Sequence, residues 1–145
     1  MITIRSMCES DRTSVLEMMR VFYASPAVHT NGSEEIFQND FSACVGDSPY
    51  AEGFVFEQDG VPAGYGMIAK SFSTEFGKPC VWIEDLYLLP SYRRSGAATK
   101  FIQMLRAAHP DAVIRLESEE ENVTAIAAYH KNGMTELPYV ELILL

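Results

Sequence analysis

A chain of 145 residues is long enough to bury one continuous core and too short for two domains of ordinary size, so a single domain over 1–145 is expected. Apolar residues at 48% and charged residues at 21% exclude disordered and fibrous classes. Twenty Asp and Glu against 11 Lys and Arg give a net charge of -9, which repels phosphate backbones and argues against nucleic acid as a partner.

The apolar runs are short and strand-like, and the first residues, Met1-Ile2-Thr3-Ile4-Arg5, lack the basic flank and apolar stretch of a secretory signal. A cytoplasmic protein with no membrane partner is therefore expected. Cys8, Cys44 and Cys80 are odd in number and contain no C-x-x-C pair, which opposes a disulfide framework and a zinc site. His29, His109 and His130 have no spacing that assembles metal ligands, so no metal is expected.

In chain order, Ile2 to Arg5 reads as a short strand, and Val15, Met18, Met19 and Phe22 then mark an amphipathic helix with Ser10 as its N-cap. Ser33 caps a second helix whose stripe is Phe37, Phe41, Cys44 and Val45, closed by Gly46-Asp47. Ala51 to Gln58 and Val61 to Ser73 flank Asp59-Gly60, a dipeptide suited to a tight hairpin. Pro79 to Leu89 is a strand rich in β-branched and aromatic residues, which Pro90 stops. Ser95 to Ala108 is helical by the spacing of Ala98, Phe101, Ile102 and Leu105; Ala112 to Glu117 is a strand; Asn122 to Lys131 is a helix that Asn132-Gly133 ends. Met134 to Leu145 reads as returning β structure, turning near Pro138. The order places antiparallel strands first and a β-α-β crossover second, which implies a mixed α/β sheet covered by helices, about seven strands with four helices.

Chemistry gathers in two places. The turn Tyr92-Arg93-Arg94-Ser95-Gly96-Ala97-Ala98 leads from strand to helix, where backbone N–H groups at the helix start form an anion cradle. Gly96 allows close approach, Ala97 and Ala98 keep the wall low, and Arg93 and Arg94 add charge. The second place is Glu84-Asp85, adjacent carboxylates inside an otherwise apolar strand, costly to bury without a partner.

The segment Glu84-Asp85-Leu86-Tyr87-Leu88-Leu89-Pro90 followed by Arg93-x-x-Gly96-x-Ala98 resembles the strand and pyrophosphate loop, [QR]-x-x-G-x-[GA], of the GNAT N-acetyltransferase superfamily. Asn122 and Tyr129, seven residues apart ahead of Gly133, resemble its other signature; Ala98 stands for the commoner Gly and Met134 for the usual aromatic. The resemblance implies acetyl-CoA as acyl donor and a small-molecule amine as acceptor. It implies that Leu86, Tyr87 and Leu88 offer backbone groups to the pantetheine arm and that Arg93, Arg94, Ser95, Gly96, Ala97 and Ala98 hold the diphosphate. Asn122 would lie beside the cofactor, with Tyr129 aimed at the thioester sulfur.

Acyl transfer to an amine needs a proton acceptor, since an alkyl amine with a pKa of about 10.4 is free base in only roughly one molecule in 2,500 at pH 7. Glu84 is the expected base, Asp85 orients a cationic substrate and Tyr129 protonates the departing thiolate; a bulge, which the family places near here, would turn both carboxylates inward. The Ile-Glu-Asp-Leu-Tyr segment and the Asn-to-Tyr spacing are most similar to the diamine and spermidine acetyltransferase branch, so a polyamine or related ω-amino compound heads the acceptors. Aminoglycosides, amino acids and protein amines remain alternatives, as does a non-catalytic acyl-CoA-binding module, and relatives that pair through their last strands imply a homodimer.

Overall fold

The computed structural model describes all 145 residues. Its elements run β1 (Thr3–Ser6), α1 (Arg12–Tyr23), α2 (Glu34–Val45), β2 (Ala51–Gln58), β3 (Val61–Ser73), β4 (Lys78–Leu88), α3 (Ala97–Ala108), β5 (Val113–Leu116) and α4 (Val123–Lys131), with short 3-10 turns at Glu9–Asp11 and Pro90–Tyr92. The strands form one five-stranded sheet in the order β1-β2-β3-β4-β5. Pairing is antiparallel through β4 and parallel between β4 and β5, so the expected mixed sheet is present.

The hairpin between β2 and β3 follows from its dipeptide. Asp59 (φ 53°) and Gly60 (φ 76°) both lie in the left-handed region that the twist of a two-residue connection demands, and both tolerate it. Ser33 caps α2, its hydroxyl accepting from the Ile36 N–H at 3.2 Å. The start of α1 differs from expectation. Asp11, not Ser10, is the N-cap residue, and its carboxylate accepts from the Cys8 N–H at 2.8 Å, so the segment preceding α1 closes as a 3-10 turn.

Two apolar clusters occupy opposite faces of the sheet. Val81, Ile83, Phe101, Ile102 and Leu105 pack under α3, whereas Val15, Met19, Phe37, Phe41, Tyr65 and Tyr87 pack under α1 and α2. Phe41, Phe101, Val15 and Leu105 are fully buried, each worth about 1.5–3 kcal/mol of hydrophobic burial.

Residues 134–145 form no strand, so the sheet has five strands where about seven were expected. Val140, Leu142, Ile143, Leu144 and Leu145 are 79–108% exposed, with no strand beyond β5 to pair them. Their alternation is a strand pattern, but a strand needs a partner ladder and a face to cover. No helix is long and apolar enough to cross a membrane.

Arg5 ties β1 to the start of α1. Its Nη1 and Nη2 donate to Asp11 Oδ2 and Oδ1, both at 2.8 Å, while Nε donates to Glu57 Oε1 at 3.0 Å. The Arg5 guanidinium pulls the nearly buried Asp11 carboxyl down to about 2. A carboxyl depressed in the folded state stabilises the fold above its unfolded value near 3.8, and that contribution disappears as pH falls through about 2. Arg5 is partly solvated, which reduces the effect to about 1–2 kcal/mol. Asp11→Asn is therefore expected to lower the urea unfolding free energy by that amount at pH 7, with the difference from wild type shrinking to nothing below pH ~2.

Candidate active site

β4 contains one residue more than β3 opposite it. Met67 pairs with Asp85 and Ile68 with Ile83, leaving Glu84 without a partner at a β-bulge. Regular alternation would put Ile83 and Leu86 on opposite faces, yet both pack under α3. Asp85 and Tyr87 instead point under α1 and α2, where Asp85 meets Tyr65. Glu84 follows Ile83 and faces away from it, so the bulge brings both carboxylates toward α1 and α2.

Parallel pairing between β4 and β5 runs only from Cys80 with Val113 to Ile83 with Leu116. Beyond Ile83, β4 continues to Leu88 with no strand on that side, leaving the backbone of Leu86, Tyr87 and Leu88 beside a gap at the carboxyl ends of two parallel strands. A cleft opens there, lined by Glu84 and Leu86 of β4, Glu117 just past β5, Asn122 and Tyr129 of α4, and Phe22 of α1. Glu84, Tyr129 and Asn122, more than 30 residues apart at the extremes, thus share one cavity.

β4 passes through the Pro90–Tyr92 turn into α3. Arg94 (φ 62°) and Gly96 (φ 81°) both adopt left-handed backbone, and a Cβ at Gly96 would meet nothing within 4 Å, so conformation rather than crowding selects glycine here. Gly96 is the N-cap of α3 with no side-chain cap, which leaves the first-turn N–H groups of Ala97 and Ala98 directed outward with the dipole's positive end. Arg93, Arg94 and Ser95 are exposed on this turn; the Arg93 Nε donates to the Leu88 carbonyl at 3.1 Å. The turn has the form of an anion seat one strand length from Glu84.

Glu84 and Glu117 are the charged groups of a largely apolar cleft wall. Burial and the neighbouring Asp85 charge raise Glu84 above its ordinary value, with Glu141 adding to the effect. Asp85 is 3% exposed and burial raises it as well, opposed by two hydrogen bonds: Tyr65 Oη donates to Oδ2 at 2.7 Å and Tyr23 Oη to Oδ1 at 2.9 Å. Its oxygens are thus engaged behind the cleft wall. Asp40 of α2 faces both carboxylates, and desolvation together with Asp85 and Glu84 pushes it up to about 6. Hydrogen bonding with Glu141, then burial, lifts Glu117 to about 7. Tyr129 is half-buried and raised by burial, so it holds its proton at neutral pH.

The sequence reading missed Tyr23, Tyr65, Asp40 and Glu117. Asp40 left a signal, since it lies three residues after Phe37 on the apolar stripe of its helix, a position where a carboxylate needs a reason. Tyr65, inside a fully buried stretch of strand, requires a hydrogen-bond partner for its hydroxyl. His29 and His130 are exposed, His109 caps the end of α3, and no group of three or more His, Cys, Asp or Glu side chains is placed to hold a metal ion.

The profile of the Acetyltransferase (GNAT) family matches residues 14–134. Thialysine N-epsilon-acetyltransferase of Bos taurus is 27% identical across 97% of this chain and 88% of its own length. The mouse enzyme of the same name is 30% identical over 69% of this chain. Among solved structures, a possible acetyltransferase from Clostridium difficile 630 superposes with a TM-score of 0.81 at 20% identity, covering 99% of this chain and 97% of that one. AAC(6')-Iy in complex with the bisubstrate analogue CoA-S-monomethyl-acetylneamine gives 0.78 at 16% identity, covering 100% and 98%. These likenesses cover the fold from end to end.

The carboxylate cluster has a cost in stability. Asp40 ionises near 3.8 when unfolded and about 6 when folded, so folding is disfavoured progressively between those values and by a constant amount above them. Asp40 is half-buried, which limits the penalty to about 1–2 kcal/mol. Asp40→Asn is expected to raise the melting temperature at pH 8 by several degrees and to leave it unchanged below pH ~4, as read by calorimetry.

Proposed function

Because the chain belongs to the GNAT acetyltransferase family, we propose that it moves an acetyl group from acetyl-CoA to a primary amine of a small molecule, with Glu84 as base and Tyr129 as acid. The observation that carries this reading is the shared cleft: Glu84, set forward by the bulge, and Tyr129 line one cavity where β4 and β5 part. Solved relatives of the same fold include one described with CoA, which supports coenzyme A as the donor.

The diphosphate sits on the Arg93 to Ala98 turn, against the first-turn N–H groups of α3 and the two arginines. The pantetheine arm extends along Leu86, Tyr87 and Leu88 in place of the missing strand, with Asn122 beside it. This presents the thioester to the cleft. The amine nitrogen attacks the carbonyl carbon, a backbone N–H near Leu86 stabilises the oxyanion, and Glu84 takes the amine proton directly or through one water. Collapse breaks the C–S bond, and Tyr129 donates its proton to the departing sulfur. A Tyr raised by burial stays protonated until that thiolate forms.

The acceptor meets two carboxylates on the cleft wall, Glu84 and Glu117, with the Asp40 and Asp85 charges close behind Glu84. A cationic acceptor neutralises this cluster, which favours an ω-amino compound, either a polyamine or an amino acid with a distal amine. The curated relatives' substrate, thialysine, is of the second kind. We also propose that the chain pairs with a second copy through residues 140–145, whose apolar side chains lie exposed in a fold that leaves the outer edge of β5 unpaired.

Thiol release from acetyl-CoA, measured against thialysine, lysine, spermidine and an aminoglycoside, tests the assignment. Turnover is expected with the diamine-bearing acceptors, rising with pH as Glu84 loses its proton; partial desolvation and the Asp85 charge displace that acid limb upward from that of a free glutamate. Glu84→Gln should lower kcat/KM about 10²–10³-fold and abolish the limb, and Tyr129→Phe should lower kcat about tenfold or more, both with coenzyme A affinity unchanged by calorimetry. Binding of coenzyme A with no turnover on any amine would instead make the protein a cofactor sensor. For the pairing, light scattering should give a dimer for the full chain and a monomer once 140–145 are removed; a monomeric full chain would end that proposal.

A further inference from the structure

The arrangement around Asp85 is more elaborate than an orienting carboxylate requires. Asp85 is 3% exposed and no Lys or Arg forms an ion pair with it. A carboxyl in such a place ordinarily takes up a proton, because the lost hydration penalises only the charged form. Here each oxygen has its own donor. Tyr65 Oη lies 2.7 Å from Oδ2 and Tyr23 Oη lies 2.9 Å from Oδ1. One donor per oxygen stabilises the ionised form, in which both oxygens accept, and so opposes the effect of burial.

The two tyrosines are themselves fixed. Tyr65 is fully buried in β3, two residues before the Met67 that pairs with Asp85. Tyr23 ends α1, with its ring 5.5 Å from Phe22 and 5.2 Å from Phe37 of α2. Three elements therefore converge on a carboxylate that substrate cannot reach. Its chain neighbour is Glu84, turned to the same side by the bulge and lining the cleft.

We propose that Tyr23 and Tyr65 are positioning residues that keep Asp85 as a buried anion, and that this fixed charge behind Glu84, without touching substrate, sets how readily Glu84 takes a proton. The inference rests on the reading of Glu84 as the base. A like charge one residue away favours the protonated form of Glu84, itself exposed to solvent at the cleft, and so strengthens it as a proton acceptor. The other groups facing this pair are Asp40 of α2, Glu141 of the C-terminal segment and, through Glu141, Glu117; all are acidic and act in the same direction. The Tyr23 contact also ties the end of α1, which supplies Phe22 to the cleft, to the strand that carries the base.

The test compares wild type with Asp85→Asn, which keeps shape and removes the charge, and with the double variant Tyr23→Phe/Tyr65→Phe, which keeps Asp85 and removes its donors. Two readouts are taken on the full chain: the carboxyl ¹³C titration of Glu84, assigned through Glu84→Gln, and the acid limb of kcat/KM. In Asp85→Asn both should move to lower pH. In the double Phe variant Asp85 takes up a proton, and Glu84 should again titrate at lower pH. Tyr23→Phe alone, the mildest change, should shift Glu84 in the same direction by less and reduce kcat/KM about tenfold, the loss set by one charge-assisted hydrogen bond; it carries the test if the others fail to fold.

A purely structural role would lower stability or kcat and leave the Glu84 titration where it is, and that result in folded Asp85→Asn would overturn the proposal. If the Glu84 titration moves while the acid limb of kcat/KM does not, the fixed charge stands and Glu84 is not the base.

Discussion

The site depends on one extra residue in β4. Without the bulge at Glu84, Ile83, Asp85 and Tyr87 would share one face, and Leu86 and Leu88 the other. Either Asp85 would sit in the apolar layer under α3, or Ile83 would face the acidic side. The bulge resolves this by keeping Val81 and Ile83 in one core and handing Asp85 and Tyr87 to the other. It also strengthens the local twist just where β5 stops pairing. The same irregularity thus sets the carboxylates forward and helps part the strands, so Glu84 and the gap beside β4 have a common structural origin.

Electrostatics divide the molecule into two regimes. At the Arg5–Asp11–Glu57 junction, opposite charges meet in bidentate geometry and lock β1 to the start of α1. At the cleft, Glu84 and Glu117 line the wall while Asp40 and Asp85 lie close by, Asp85 accepting from two tyrosine hydroxyls, and all four carboxyls are raised. A fold gains nothing from like charges held together in a half-dry cavity. Perturbed carboxyls gathered at the cost of stability are a feature of functional sites rather than of scaffold.

Most of the scaffold could be read from the residues because local and global preferences agree there. Ala51–Gln58, Asp59-Gly60 and Val61–Ser73 combine strand propensity with the one turn chemistry that suits a two-residue hairpin, and both strands run over the expected bounds. Ser33 declares α2 by the same logic. The segment 134–145 was misread because alternation reports what a strand would do once paired, and pairing is a tertiary matter. The bulge came only through family resemblance, since Val81 to Leu89 looks continuous as a string. The Tyr23 and Tyr65 contacts to Asp85 join residues 62 and 20 positions apart, beyond any periodicity. Asp40 alone was within reach of pattern reasoning, as a charge on an apolar stripe.

The two halves of the reaction draw on different parts of the chain. β4, the Arg93 to Ala98 turn, α3 and α4 form a nearly local unit, strand to helix to strand to helix, that makes an anion seat and a gap along a strand edge. Its geometry follows from backbone groups, which change little when side chains do. The other side of the cleft is contributed by α1 and the loop after it, through Phe22 and Ala27, with Tyr23 and Asp40 close behind. Those positions are side-chain choices on two helices that meet the sheet mainly by apolar packing. One fold can therefore keep its donor and exchange its acceptor by altering a few residues in α1 and α2, provided Glu84 keeps its place on the bulge. In this chain those positions carry negative charge and aromatic surface, with Asp40 on α2 and Phe22 and Tyr23 on α1.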